Sequence, residues 1–360
     1  MTKKALKFLL ITFLFILITF PIINCENLKI SKLKANYHFN KANKFFQDEM
    51  YKKAIPEYEL TIKYDPEFVQ AYHYLGESYK NLYRPAVETE ENIERANKAL
   101  AVLQKALELD PNNKDIILSL GDMYNKLRDF QEAEKYYLEI LVMEPDNPNN
   151  YYVVAEFYKS YAGEIQKEEK EEEEETGLVR IAGEKIVEEE KLEEEGPKEK
   201  TPLEKAEEMY KKRIELDPSD PDGYARLANF YENLPIPEFD KAKEYYEKMI
   251  TLDPNNATGY SRIGVNRWAK SYRIPTLPKE EKIKAAREGV EALKKAIEID
   301  PTIPEPYAWL KVLYYHLGKL EPKKEIEYKK IGDEYGVKFE KASKRQQERK
   351  RLEEELTIIK

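Results

Sequence analysis

The chain has 360 residues, with 60 Lys and Arg against 69 Asp and Glu, a net charge of −9. Only 13 residues are Gly and no two lie closer than Gly332 and Gly336, which excludes the G-x-G of dinucleotide-binding folds and the G-x-S-x-G nucleophile elbow. Three histidines, His38, His73 and His316, never fall at i, i+4, and one cysteine stands alone, so an H-E-x-x-H zinc site, a CxxC metal site and an intrachain disulfide are also excluded.

What remains is a charged chain, 36% Asp, Glu, Lys and Arg, whose aromatic content is mostly Tyr (27 residues). That composition predicts helices with solvated faces and a thin core close to water, where a polar-tipped aromatic is useful.

In chain order, Lys3, Lys4 and Lys7 precede an uncharged run from Phe8 to Ile23, too short to span a bilayer comfortably. Residues 1–24 read as a signal peptide. Cys25 follows at once, and Ile22-Ile23-Asn24-Cys25 resembles a bacterial lipobox, with Asn24 where a smaller residue is usual. The resemblance implies lipidation at Cys25. An uncleaved signal anchor, or cleavage elsewhere, are the alternatives. Residues 25–34 read as a linker.

From residue 35 an acid-Pro pair recurs: Asp65-Pro66, Asp110-Pro111, Glu144-Pro145, Asp217-Pro218, Asp253-Pro254 and Asp300-Pro301. The prolines are spaced 45, 34, 73, 36 and 47 residues apart, each spacing being 34 or 34 plus an insertion. Proline disfavours helix for the residue before it, so each pair predicts a helix end. Within the uninterrupted repeat, Ile117, Leu120 and Tyr124 mark one helix, and Ala133, Tyr137 and Ile140 a second. Small residues recur in phase: Gly76, Gly121 and Gly264 in first helices, and Ala99, Ala133 and Ala242 in second helices.

This pattern resembles the tetratricopeptide repeat. Tyr72, Leu75, Gly76, Tyr79, Ala99, Leu103, Ala106 and Pro111 match its marks in repeat two, and Tyr224, Leu227, Ala228, Tyr231, Ala242, Tyr246 and Pro254 in repeat five. The resemblance implies an all-α solenoid, a right-handed superhelix of about seven helix-turn-helix repeats. Repeats one to four occupy 35–161 up to the first helix of the fourth, and the rest of four through seven occupy 201–336. The seventh departs from the pattern at Lys311 and Lys323.

The insertions all fall between the two helices of a repeat, some lengthening them, with Glu280 to Ile299 expected as one charged helix. The largest, 162–200, holds 16 Glu and 7 Lys and Arg, and predicts a solvated linker or lone helix. Residues 337–360 read as a charged capping helix.

No catalytic constellation can be assembled, and no cofactor or metal is called for. Nucleic acid is disfavoured by the acidic balance. The resemblance implies a protein-binding scaffold whose first helices line a concave groove. Residues beside the core stripe there are Tyr74, Tyr152, Arg226, Asn229, Arg262, Trp268 and Trp309, with Glu156 and His316 at matching positions. Repeats one to three lack the residues of the carboxylate clamp known in the family. With the lipobox, the expectation is an envelope lipoprotein supporting assembly of a complex. An anchored accessory subunit of an enzyme complex and a cell-wall polymer binder are the alternatives. For Trp268, two roles stand open: partner contact, or filling the packing slot where Arg267 replaces the usual Tyr.

Overall fold

The computed structural model describes residues 29–176 and 200–358. No strand occurs among them. The helices are α1 (29–47), α2 (Tyr51–Tyr64), α3 (Val69–Leu82), α4 (Glu90–Leu109), α5 (Lys114–Lys126), α6 (Phe130–Met143), α7 (Pro148–Thr176), α8 (Pro202–Leu216), α9 (Pro221–Glu232), α10 (Phe239–Leu252), α11 (Ala257–Arg273), α12 (Lys279–Ile299), α13 (Glu305–Leu320) and α14 (Glu325–Ile358). They form a helical solenoid of consecutively packed helices. The described residues divide into two compact lobes, one of 29–145 with 159–176, the other of 146–158 with 200–358. Helix α7 gives its first turns to the second lobe and the rest to the first.

The acid-Pro pairs do what their chemistry dictates. Asp65, Asp110, Glu144, Asp217, Asp253 and Asp300 are the C-caps of α2, α4, α6, α8, α10 and α12, each with φ near −135°. An acid at a helix C-terminus opposes the helix dipole. Three of them offset this by folding an Asx turn: Asp65, Asp217 and Asp300 accept the backbone N–H two residues on, from Glu67, Ser219 and Thr302. At Asp300 the hydroxyl and N–H of Thr302 hold the carboxyl below its ordinary value. Three of the first helices then start on a side-chain cap: Asn113, Asp220 and Asn256 accept N–H groups of the opening turns of α5, α9 and α11.

Helix pairs lock by two kinds of matched position. In repeats two and six a first-helix glycine faces a second-helix leucine: a Cβ on Gly76 would lie 2.5 Å from Leu103 Cγ. In repeats one, four and five the first helix carries Ala42, Ala155 or Ala228, all fully buried, and the second carries Tyr58, Tyr210 or Tyr246. Those tyrosine hydroxyls donate to Asn43, Glu156 and Glu232 of the partner helix. A planar ring tolerates a methyl group where a branched leucine does not. Repeat three combines Gly121 with Tyr137, and a Cβ there would sit 3.4 Å from the ring, in ordinary contact. Ala99, Ala133 and Ala242 are fully buried, as their spacing predicts.

The structure departs from the expected boundaries at several points. Helix α1 already runs from residue 29, within the segment read as a linker, and Ser31 Oγ donates to the carbonyl of Tyr64. The insertions chiefly lengthen second helices: α4 and α12 have 20 and 21 residues against 14 in α2, α6 and α10. The start of the acidic insertion continues α7 to Thr176, and it is tethered: Arg128 pairs with Glu164 at 2.6 Å and Glu168 at 3.2 Å, while Phe130 stacks on Tyr161. Residues 177–199 of that insertion lie outside the described residues. The tail is the second part of α14, which is continuous from Glu325. Its residues 344–355 are all exposed.

In repeat seven the small residues have changed sides. The first helix has Lys311 where glycine or alanine is usual, and α14 supplies Gly332 and Gly336 instead. A Cβ on Gly332 would meet Tyr315 at 2.7 Å, and one on Gly336 would meet Lys311 at 3.2 Å.

Candidate functional site

In the second lobe, α9 sets Asp222, Arg226 and Asn229 along its solvent side at i, i+4 and i+7, while Leu227, Ala228 and Tyr231 face the core. The Arg226 guanidinium lies 3.9 Å from the centroid of the Tyr152 ring, a cation–π contact, and its Nε donates to Asp222 at 2.5 Å. One turn after Tyr152, Glu156 accepts the Tyr210 hydroxyl. From α11, Arg262 is exposed and has no ion-pair partner. Together Glu156, Asp222, Ala225, Arg226, Asn229, Tyr246 and Arg262 line a pocket of about 330 Å³.

Beside this pocket lies a polar network. Glu232 accepts the Tyr246 hydroxyl at 3.1 Å and Asn266 Nδ2 at 2.5 Å, and burial pushes its carboxyl above the ordinary value. Asn266 Oδ1 accepts two bonds from Arg267, whose other donors reach Asp240 Oδ1 at 2.9 Å and the Phe239 carbonyl at 2.7 Å. Arg267 is 2% exposed. It therefore fills the slot that tyrosine fills elsewhere, opposite Gly289, where a Cβ would approach Arg267 Cβ at 3.2 Å. Trp268 does not fill that slot.

Trp268 instead lies half-buried against the core of α12 and α13 and joins an aromatic cluster at its edge. Its ring stacks on Tyr272 (5.1 Å, 10°) and meets Trp309 at 4.9 Å. Tyr272 is 62% exposed and meets the edge of His316 at 5.8 Å. His316 shares a hydrogen bond with Ser271 Oγ, and burial, then the charges of Lys319 and Lys282, hold it below the ordinary histidine value. Trp309 is half-buried against the lobe's core.

The residues expected on the groove thus separate. Tyr152, Arg226, Asn229 and Arg262 come together around the pocket, with Trp268 and Trp309 at the aromatic cluster. Tyr74 belongs to the first lobe and is packed among Phe39, Phe46 and Tyr58. His73 is bonded to Ser119 and His38 to Glu57. Two features escaped the sequence reading. Tyr272 lies one turn beyond Trp268, a spacing that could have found it. A larger groove of about 970 Å³ has Ile250, Ile263 and Ile283 in its wall and lies between α10 and α12; it depends on how two second helices splay, which no single-helix pattern encodes. Cys25 lies outside the described residues. Among the described residues no group of three or more His, Cys, Asp or Glu is placed to hold a metal ion, and no helix is long and apolar enough to cross a membrane.

Two models of the tetratricopeptide repeat match the chain, over residues 94–156 and 221–256. No curated protein matches. Similar solved structures include a tetratricopeptide repeat protein from Parabacteroides merdae (13% identity, 87% of this chain and 93% of that one, TM-score 0.42). Others are pilF of Pseudomonas aeruginosa (14%, 77% and 96%, 0.40) and MamA of Desulfovibrio magneticus (16%, 62% and 97%, 0.39). None of these likenesses is close enough to specify a ligand. The 34-residue spacing, the paired helices with their matched small positions and the two family matches identify tetratricopeptide repeats in this chain.

Proposed function

We propose that the chain is a non-enzymatic scaffold for protein–protein interaction, held at a bacterial cell envelope through Cys25 and supporting assembly of an envelope complex. The observation that carries the binding reading is the pocket itself: first-helix residues of three successive repeats, Glu156, Asn229 and Arg262, converge on one recess. Donors and acceptors there suit the mixed polarity of a peptide segment. Anchoring is supported by the lipobox-like Ile22 to Cys25 after an apolar run; two acyl chains or more hold a protein stably at a bilayer.

A photo-crosslinking amino acid placed at Asn229 of the full chain in cells tests the binding reading. A discrete adduct is expected at 229 and not at Val142, an 81% exposed position on α6. Equal adducts from both positions would sink it. Anchoring is checked separately by fatty-acid labelling and membrane fractionation of Cys25→Ser, which should lose both label and membrane retention.

A further inference from the structure

The pocket and the aromatic cluster share one helix, and that helix specifies what kind of segment fits. On α11 one side carries Arg262, Val265, Trp268 and Tyr272. From Arg262 the aromatic pair begins six residues on and ends ten residues on, about 9–15 Å at 1.5 Å per residue.

Cations that make no ion pair stand at both ends of this side. In the pocket, Asp222 is matched by Arg226 and Arg213, and Glu156 holds the Tyr210 hydroxyl. Arg262 makes no ion pair, and the partly buried Glu232 carboxylate acts on it only through charge at longer range. At the far end Arg273 and Lys319 also lack ion pairs, and the charges acting on His316 there are cationic. Arg273 and Lys319 sit in last turns, where a cation offsets the helix dipole. Arg262, in the first half of its helix, has no such structural duty.

We propose that α11 reads a short extended protein segment by two anchors: a carboxylate side chain on Arg262, and an aromatic side chain on Trp268, Tyr272 and Trp309. Extended chain advances about 3.3 Å per residue, so the two anchors stand about three to five residues apart. The proposal rests on the binding reading above and names its partner chemistry. An aromatic anchor against partly exposed Trp and Tyr supplies apolar burial, and the carboxylate supplies orientation and discrimination.

The protein provides its own reporter, because its two tryptophans, Trp268 and Trp309, are both in the cluster. Unlabelled Gly/Ser peptides carrying one Glu and one Phe, in either order, are titrated against the full chain while tryptophan emission is followed. Peptides with the two residues about four apart should bind at least tenfold tighter than those with the residues adjacent or about eight apart. Replacing Glu by Lys should remove that gain, and Arg262→Glu, checked for native helicity, should restore binding to the Lys peptide. Tyr272→Ala should remove the dependence on Phe. Equal affinity for Glu and Lys peptides, no dependence on spacing, or no emission change with any peptide would overturn the proposal. So would an emission change with soluble peptidoglycan fragments that is indifferent to Arg262→Glu and not matched by any peptide. If the Asn229 adduct persists while these titrations fail, the two-anchor rule is wrong and the binding reading stands; loss of the adduct removes both.

Discussion

Gly264 and Leu293 are in such close register that a methyl group on Gly264 would lie 2.4 Å from Leu293 Cγ, with the Gly289 carbonyl oxygen 3.2 Å away. Neither neighbour is the loose end of a flexible side chain. Gly264→Ala should therefore cost about 1–3 kcal/mol through overpacking, and Gly76→Ala the same against Leu103. Gly121→Ala should instead stabilise by about 0.5–1 kcal/mol, because its Cβ fits beside Tyr137 and glycine is a poor helix former. Urea unfolding of the three variants gives the order directly; equal costs at all three sites would refute the matched-pair account.

Arg267 replaces a tyrosine in the core, and its bonds to Asn266, Asp240 and the Phe239 carbonyl are what make its burial tolerable. Arg267→Ala should cost about 1–3 kcal/mol by leaving Asn266 Oδ1 and the Phe239 carbonyl without their donor, while Asp240 keeps Lys270. Hydrogen exchange should show the loss concentrated in α10 and α11. A uniform rise in exchange across the second lobe is the contrary result.

Glu232 makes the stability of the second lobe depend on pH in a predictable direction. Burial raises its folded value above the ordinary 4.5, so between the unfolded and folded values the native state holds the extra proton. Its contribution is then most favourable below about 4.5 and is lost as pH rises through the folded value. Glu232→Gln removes this dependence. The variant should gain stability relative to the parent as pH is raised from 4 to 7, measured by urea midpoints, and a constant difference across that range would contradict the assignment.

Arg128 occupies the left-handed region at φ 61° while its side chain pairs with Glu164 and Glu168. Glycine would relieve about 1 kcal/mol of backbone strain. The ion pairs are partly exposed and worth at most about 1 kcal/mol together after screening. Arg128→Gly should thus be near neutral at low salt and stabilising at high salt. Its signature is faster amide exchange in α7 beyond Tyr161.

The helix ends and the core stripes were legible because both are local. Asp65-Pro66 and its five counterparts end helices for reasons confined to two residues, and Leu120 with Tyr124 share a face by spacing alone. The matching of Gly76 to Leu103 was not legible, since it needs the register between helices. The same holds for Arg267 in a tyrosine slot, and for Gly332 replacing the small residue missing at Lys311. Of the site, the stripe of Arg226, Asn229 and Arg262 followed from repeat position, whereas Tyr74 shares that position but is drawn into packing by Phe39 and Phe46, which no alignment of repeats would show.

The pairing of glycine with leucine and of alanine with tyrosine also limits how such a chain can change by recombination. Moving a first helix bearing Ala155 opposite a second helix bearing Leu293 would drive a methyl group into a branched side chain. The reverse exchange is the milder one, since Tyr137 already faces Gly121 in repeat three. Lengthening or shortening this array without damage therefore requires cutting at the boundaries between whole pairs, so Asp-Pro junctions such as Asp253-Pro254 are the natural seams and the turns inside a repeat are not.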